Sequence, residues 1–162
     1  MSKKVIKMSL LLVVLSLSIA IPVFAVTVSA KRKGYTSGPV YINDAFPWAS
    51  WEYWSAQPWL KGSGTEEDPY MIKDLVIDVT GSLFAMMIQD SNAHFKIMKC
   101  KFSNGGIEGE RTAGLILANT QNGVIFKNTF INNDGAGIAV MGCLNITIQK
   151  NSCNENGVGI YI

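Results

Sequence analysis

"GLILANTQNGVIFKNTF" (residues 114–130) and "GIAVMGCLNITIQKNSC" (137–153) align at one constant offset. Leu115 falls on Ile138, Ile125 on Ile148, Asn128 on Asn151 and Phe130 on Cys153, each pair 23 residues apart. "MMIQDSNAHFKIMKCKF" (86–102) joins 28 residues earlier, with Met87, Ile97, Cys100 and Phe102 at the matching places. A further copy opens at "GIYI" (159–162), where Gly159 follows Gly137 by 22. The five additional residues of the first interval lie between Phe102 and Leu115, where "GGIEGERT" (105–112) reads as an inserted loop. An offset that holds at several independent positions marks a repeat architecture.

Within one copy the apolar residues alternate. Ile138 and Val140 share one face, as do Ile146 and Ile148 after a polar turn. β-Branched residues alternating with polar ones, punctuated by Gly and Asn, read as short strands. Several strands in ~23 residues, each stacked on its equivalent in the next copy, describe an all-β fold, a parallel β-helix of ~22–28 residues per coil. Coils then stack at ~4.8 Å, and no coil buries its apolar positions without a neighbour. A leucine-rich repeat shares the period but needs Leu at fixed places that Ile138, Val140, Ile146 and Ile148 do not supply. Asn128 with Asn151, and Asn122 with Asn145 preceded by His94, predict side-chain ladders along the axis. Cys100 replaces Asn in the first copy, so that ladder is expected to start one coil late.

All four tryptophans lie in "FPWASWEYWSAQPWL" (46–60), ahead of the first repeat. A solenoid must cover the apolar end of its first coil, and one buried indole of ~150 Å² is worth up to ~4 kcal/mol. The stretch is therefore expected to form a cap. Pro47 is expected to start a short helix with Trp51 facing Trp54 or Ser55, leaving Trp48 and Trp59 as the exposed pair able to stack on a sugar. At the other end "GVGIYI" (157–162) stops inside a strand. That suggests a fragment of a longer solenoid, or end-to-end association through an open coil.

Lys3, Lys4 and Lys7 precede an apolar run, and "VFA" at Ala25 and "VSA" at Ala30 offer small-residue cleavage sites. Residues 1–30 therefore read as a secretory signal or, uncleaved, a membrane anchor, although "KRK" (31–33) is unusual after such a run. Residues 31–61 follow as N-terminal strand and aromatic cap, and 62–162 as the β-helix. Without the three leader lysines the formal charge of +2 falls to about −1, which leaves no basic footprint for nucleic acid. Three cysteines are too few for a disulfide framework.

The repeats from Met86 onward, the lead-in "GSGTEEDPYMIKDLVID" (62–78) and the short strand "GPVYIND" (38–44) resemble right-handed parallel β-helix proteins. The similarity is to those grouped with the NosD-like and carbohydrate-binding/sugar-hydrolase (CASH) domains. That resemblance implies an exported or cell-surface protein that recognises or displays polysaccharide without catalysis or cofactor. It also brings rivals: a lyase or hydrolase whose catalytic residues lie beyond Ile162, a copper-handling protein, or a structural surface module. Asp134 and Glu155 are candidate ligand-binding residues, expected ~5 Å apart on adjacent coils, with Lys127 or Lys150 as a possible basic partner. Copper would call on Met71, Met86, Met87, Met98 or Met141 with Cys100. Met87 is instead expected in the core, and "TEED" (65–68) as a solvated turn. "NIT" (145–147) makes Asn145 a glycosylation acceptor in an exported chain.

Overall fold

The computed structural model describes residues 34–36, 38–107 and 112–162. The leader, Glu108 and Glu110 lie outside them. Fourteen strands follow in order: β1 (Gly34–Thr36), β2 (Val40–Asn43), β3 (Leu60–Lys61), β4 (Tyr70–Lys73), β5 (Leu75–Asp78), β6 (Phe84–Ser91), β7 (Phe95–Met98), β8 (Lys101–Ser103), β9 (Ala113–Phe126), β10 (Thr129–Ile131), β11 (Ala136–Met141), β12 (Leu144–Gln149), β13 (Ser152–Asn154) and β14 (Val158–Tyr161). One helix, α1 (Trp51–Ser55), lies between β2 and β3.

The strands stack into three faces. Sheet 1 holds β2, β6, the first half of β9, β11 and β14, all parallel. Sheet 2 holds β4, β7, the second half of β9 and β12, with β3 added antiparallel on β4. Sheet 3 holds β1, β5, β8, β10 and β13. Each coil visits sheet 1, sheet 2 and sheet 3 in turn, which is the parallel β-helix expected from the repeat. Coil 1 is β2, β4 and β5; coil 2 is β6, β7 and β8; coil 3 is β9 and β10; coil 4 is β11, β12 and β13.

The core is built of columns. Ile72, Ile97, Ile125 and Ile148 are successive partners in sheet 2, and the first three are fully buried. Ile77, Phe102, Phe130 and Cys153 form the column of sheet 3, with the two Phe rings stacked 4.9 Å apart. Each buried residue of this size stabilises the fold by ~1.5–3 kcal/mol, and only because the coils above and below cover it. Gly123 faces Phe95, whose ring lies 2.3 Å from where a Cβ would sit. The glycine thus leaves room for an aromatic ring from the coil beneath.

Two ladders of asparagine fix the corners. Asn128 Oδ1 accepts from the Cys100 backbone N–H (2.9 Å) and Asn151 Oδ1 from that of Asn128 (2.9 Å), while their amides donate to carbonyls of Ile97 and Ile125. This ladder begins at Asn128, as expected from Cys100. A second ladder, Asn133 over Asn156, repeats the pattern at the next corner, with Oδ1 of Asn133 accepting from the Gly105 N–H. Asn145 reaches Asn122 weakly at 3.3 Å, and Asn122 donates to the carbonyl of Asn92. His94 is not a rung of this ladder. Its backbone ties the coil to the lead-in loop through Gly64 and Tyr70.

The register corrects one alignment. Met86, not Met87, pairs with Leu115 and is fully buried; Met87 pairs with Ile116 on the outer face of sheet 1. Coil 2 spends three residues, Asn92 to His94, where coil 3 spends Gln121 and Asn122. The offset is therefore 29 in sheet 1 and 28 in sheet 2, and one residue of slip exchanges the faces.

The tryptophan segment is an excursion from coil 1, between β2 in sheet 1 and β4 in sheet 2. The boundary set at residue 62 falls inside this excursion, because β2 already pairs with β6. Pro47 sits in a turn rather than opening the helix; Ser50 is the N-cap, its Oγ accepting from the Tyr53 N–H. Trp51 is 2% exposed, stacks 4.6 Å from Tyr70 and donates its indole N–H to Ser91 Oγ at 2.9 Å. Trp54 donates to the Tyr41 carbonyl at 2.7 Å. Both indoles bury their rings without stranding a donor. Among the described residues no helix is long and apolar enough to cross a membrane.

Candidate functional site

The outer face of sheet 1 is apolar along its length. Tyr41, Met87, Ile116, Ala139 and Tyr161 are successive partners, so four rungs carry the column ~19 Å along the axis. Beside it run Phe84, Ala113, Ala136 and Val158. Ala113, Ile116, Ala136 and Ala139 form a small apolar cluster separate from the main core, flanked by Phe84, Met87 and Ala118.

Aromatic rings mark both ends. At one, Trp48 is 62% exposed, stacked on Phe46 at 5.4 Å and 6.1 Å from Tyr41. The Tyr41 hydroxyl is fixed by accepting from Asn43 (2.8 Å) and donating to Gln89 (3.2 Å). At the other end a half-open groove of about 470 Å³ is floored by Ile116, Ala136 and Ala139, with Met141, Val158 and Tyr161 along it. The Tyr161 ring is 52% exposed. Asp134 and Thr112 line the same groove. Thr112 Oγ1 is enclosed and has no hydrogen-bond partner among the described residues, a state that costs ~1–3 kcal/mol.

The expected site residues separate on this framework. Trp48 is exposed and lies at one end of the strip. Trp59 is only half-buried surface, packed 5.7 Å from Trp54 against the core, because its indole completes the cap; it is not the second exposed ring. Asp134 lines the groove, but Glu155 does not stack on it. The pairing of Ile131 with Asn154 places Glu155 under Asn132, and the residue following Asp134's register is Gly157, whose N–H bonds the Asn133 carbonyl. Lys127 and Lys150 lie at a different corner, their ammonium groups 5.1 and 5.7 Å from the Phe126 ring. Among the described residues the groove lining thus holds one carboxylate and no basic partner for it.

The sulfur atoms are dispersed. Met86 is core, Met87 is on sheet 1's outer face, and Met98 pairs with Phe126 in sheet 2. All three cysteines are free. Cys100 is buried with Sγ directed at the Met98 and Ile72 carbonyls (3.4 and 3.6 Å). Burial pushes its thiol up to about 12, and burial also raises that of Cys153. A thiol held protonated is a poor metal ligand. Glu66, Glu67 and Asp68 are exposed, and the backbone of Asp68 closes a local turn with Ser63, Gly64 and Thr65. Asn145 is exposed, leaving its amide open to solvent.

Sequence reasoning missed Tyr41, Phe46, Thr112 and Tyr161 as a face. Asn133 and Asn156 were legible, since they keep the 23-residue offset. A family model described as "Right handed beta helix region" matches residues 76–162. No curated protein matches the chain. Among solved structures, too, there is no match.

Proposed function

Because the chain belongs to the right-handed β-helix family, with a fold that hosts many functions, we propose that it works through the outer face of sheet 1 as a non-catalytic glycan-recognition module. The carrying observation is the ~19 Å apolar strip between Trp48 and the Tyr161 groove. Exposed rings offer flat apolar surfaces to the C–H faces of sugar rings, and an exposed apolar strip of this kind is usually kept for function. Asp134 adds a carboxylate acceptor for sugar hydroxyls where the strip deepens into a groove.

Recognition suits the site better than turnover. Glycoside hydrolysis uses two carboxylates about the scissile bond, whereas Asp134 is the one carboxylate on the groove among the described residues. Export by the N-terminal segment and a place among the NosD-like and CASH-type surface proteins accord with this role, with polysaccharide as partner.

A neutral-oligosaccharide array probed with the full chain tests the reading. Binding is expected, and Trp48→Ala or Tyr161→Ala is expected to weaken it about tenfold (~1.4 kcal/mol). Their unfolding transitions should stay in place, because both rings are exposed. Absence of binding to any neutral glycan, or binding indifferent to both substitutions, would sink the proposal.

A further inference from the structure

Charge is sorted across the three sheets in a way that the net value conceals. Of the seven lysines among the described residues, Lys61, Lys73 and Lys96 stand on the outer face of sheet 2, and Lys99, Lys127 and Lys150 turn the corner that follows it. Lys101, on sheet 3, is the seventh. The strands of sheet 2 contain no Asp or Glu. Asp74 holds the corner in coil 1, one rung from Lys99, and offsets that one charge. Glu66, Glu67 and Asp68 belong to the opposite margin, where the turn closed on the Asp68 carbonyl by Ser63 and Gly64 lies beside His94, at the entry to the sheet.

The same face has an apolar centre. Met71, Lys96, Val124 and Thr147 are successive outward partners, and Lys73, Met98, Phe126 and Gln149 form the neighbouring column. Met71, Met98, Val124 and Phe126 are half-buried, while the lysines are exposed. Lys127 and Lys150 lean back from the corner, their ammonium groups 5.1 and 5.7 Å from the Phe126 ring. Thioether, methyl and phenyl surface is thus interleaved with five ammonium groups, those of Lys61, Lys73, Lys96, Lys127 and Lys150. From β3 to β12 the face extends ~19 Å along the axis. Lys127 and Lys150 stand one rung apart and repel, a cost that an anionic surface lifts.

We propose that the outer face of sheet 2 is a docking surface for an anionic lipid bilayer. The match is layered. Long lysine side chains carry their charge to the headgroups, while their methylenes, with Met71, Met98, Val124 and Phe126, meet the apolar zone beneath. Each lysine near such a surface adds to the attraction, which fades within the screening length of the salt. Nucleic acid would meet thioethers and methyl groups where it needs donors or stacking rings. The face lies on another sheet from the strip between Trp48 and Tyr161 and stands independently of it.

The test is co-flotation of the full chain with phosphatidylcholine vesicles, with and without phosphatidylserine, at low and high salt. Binding that requires phosphatidylserine and weakens with salt is expected. Lys61→Gln, Lys73→Gln and Lys96→Gln combined should lower it about tenfold or more, whereas Lys61→Arg, Lys73→Arg and Lys96→Arg combined should keep it. Because residues 1–33 are themselves apolar and basic, the face is also read directly, by acetylating exposed amines on and off the vesicles. Vesicles should shield Lys73, Lys96 and Lys127 and leave Lys101 on sheet 3 reactive. This footprint uses the unaltered chain, so it decides the matter even if a variant folds poorly. Undiminished binding by the glutamine variant overturns the proposal, as do equal losses in the two triple variants and equal shielding of Lys101. Tighter binding to duplex DNA or polygalacturonate than to the vesicles overturns it as well.

Discussion

Ile97 and Ile148 carry the same side chain at the same place in the coil, two rungs apart, yet only the first is fully buried. Ile97 lies between Ile72 and Ile125. Ile148 is covered by Ile125 on one side and remains partly exposed, while Leu144 on the same strand is 67% exposed. At the opposite end of the stack, Ile72 is fully buried because the excursion with Trp51, Trp54 and Leu60 packs around it. Pattern decides which residues point inward. Burial is decided by whether something lies on both sides.

Removing the cap should break the contrast most strongly. Trp51→Ala deletes a buried ring stacked on Tyr70 and its hydrogen bond to Ser91, so a loss of ~3–5 kcal/mol is expected. Urea unfolding followed by circular dichroism measures it; a loss below ~1 kcal/mol would show that coil 1 closes without the indole. The next effect compares the two isoleucines directly. Ile97→Ala should cost ~2–5 kcal/mol, and Ile148→Ala less than half as much, since it leaves a dent open to solvent instead of an enclosed cavity. Equal losses would refute the role assigned to the neighbouring rung.

The smallest contrast is polar. Asn128→Ala leaves the Cys100 N–H and the Ile97 carbonyl without their partner, for ~1–3 kcal/mol. Asn145→Ala, whose amide faces water, should change the unfolding midpoint little. Hydrogen exchange at the Cys100 amide gives a local reading, and unchanged protection in Asn128→Ala would show that the ladder does not hold that corner.

Much of this was legible in the residues. Ile97, Ile125 and Ile148 keep their offsets, as do Phe102, Phe130 and Cys153, because sheets 2 and 3 gain and lose no residues relative to each other between coils. Met87 was misassigned because one additional residue at the Asn92–His94 corner shifts sheet 1 alone. Asp134 and Glu155 were paired because they follow the aligned positions Phe130 and Cys153 on adjacent coils, although a corner residue stacks only on its exact equivalent in the next coil. Lys99, Lys127 and Lys150 share the repeat offset in sequence, but their left-handed backbone shows only in the structure. Trp48 and Trp59 looked alike as flanking rings until the fold of the excursion set one on the surface and the other against Trp54.

By itself, then, the sequence determined the coil, its period, the inward columns and one asparagine ladder, because these follow from local alternation repeated at a constant offset. Only the tertiary structure decided that Tyr41, 120 residues before Tyr161, lies in the same column of sheet 1, and that Trp48 and Asp134 flank one face. Such a face is assembled across rungs and around the cap excursion. Its residues meet through the sum of all the intervening registers, which no single window of sequence contains.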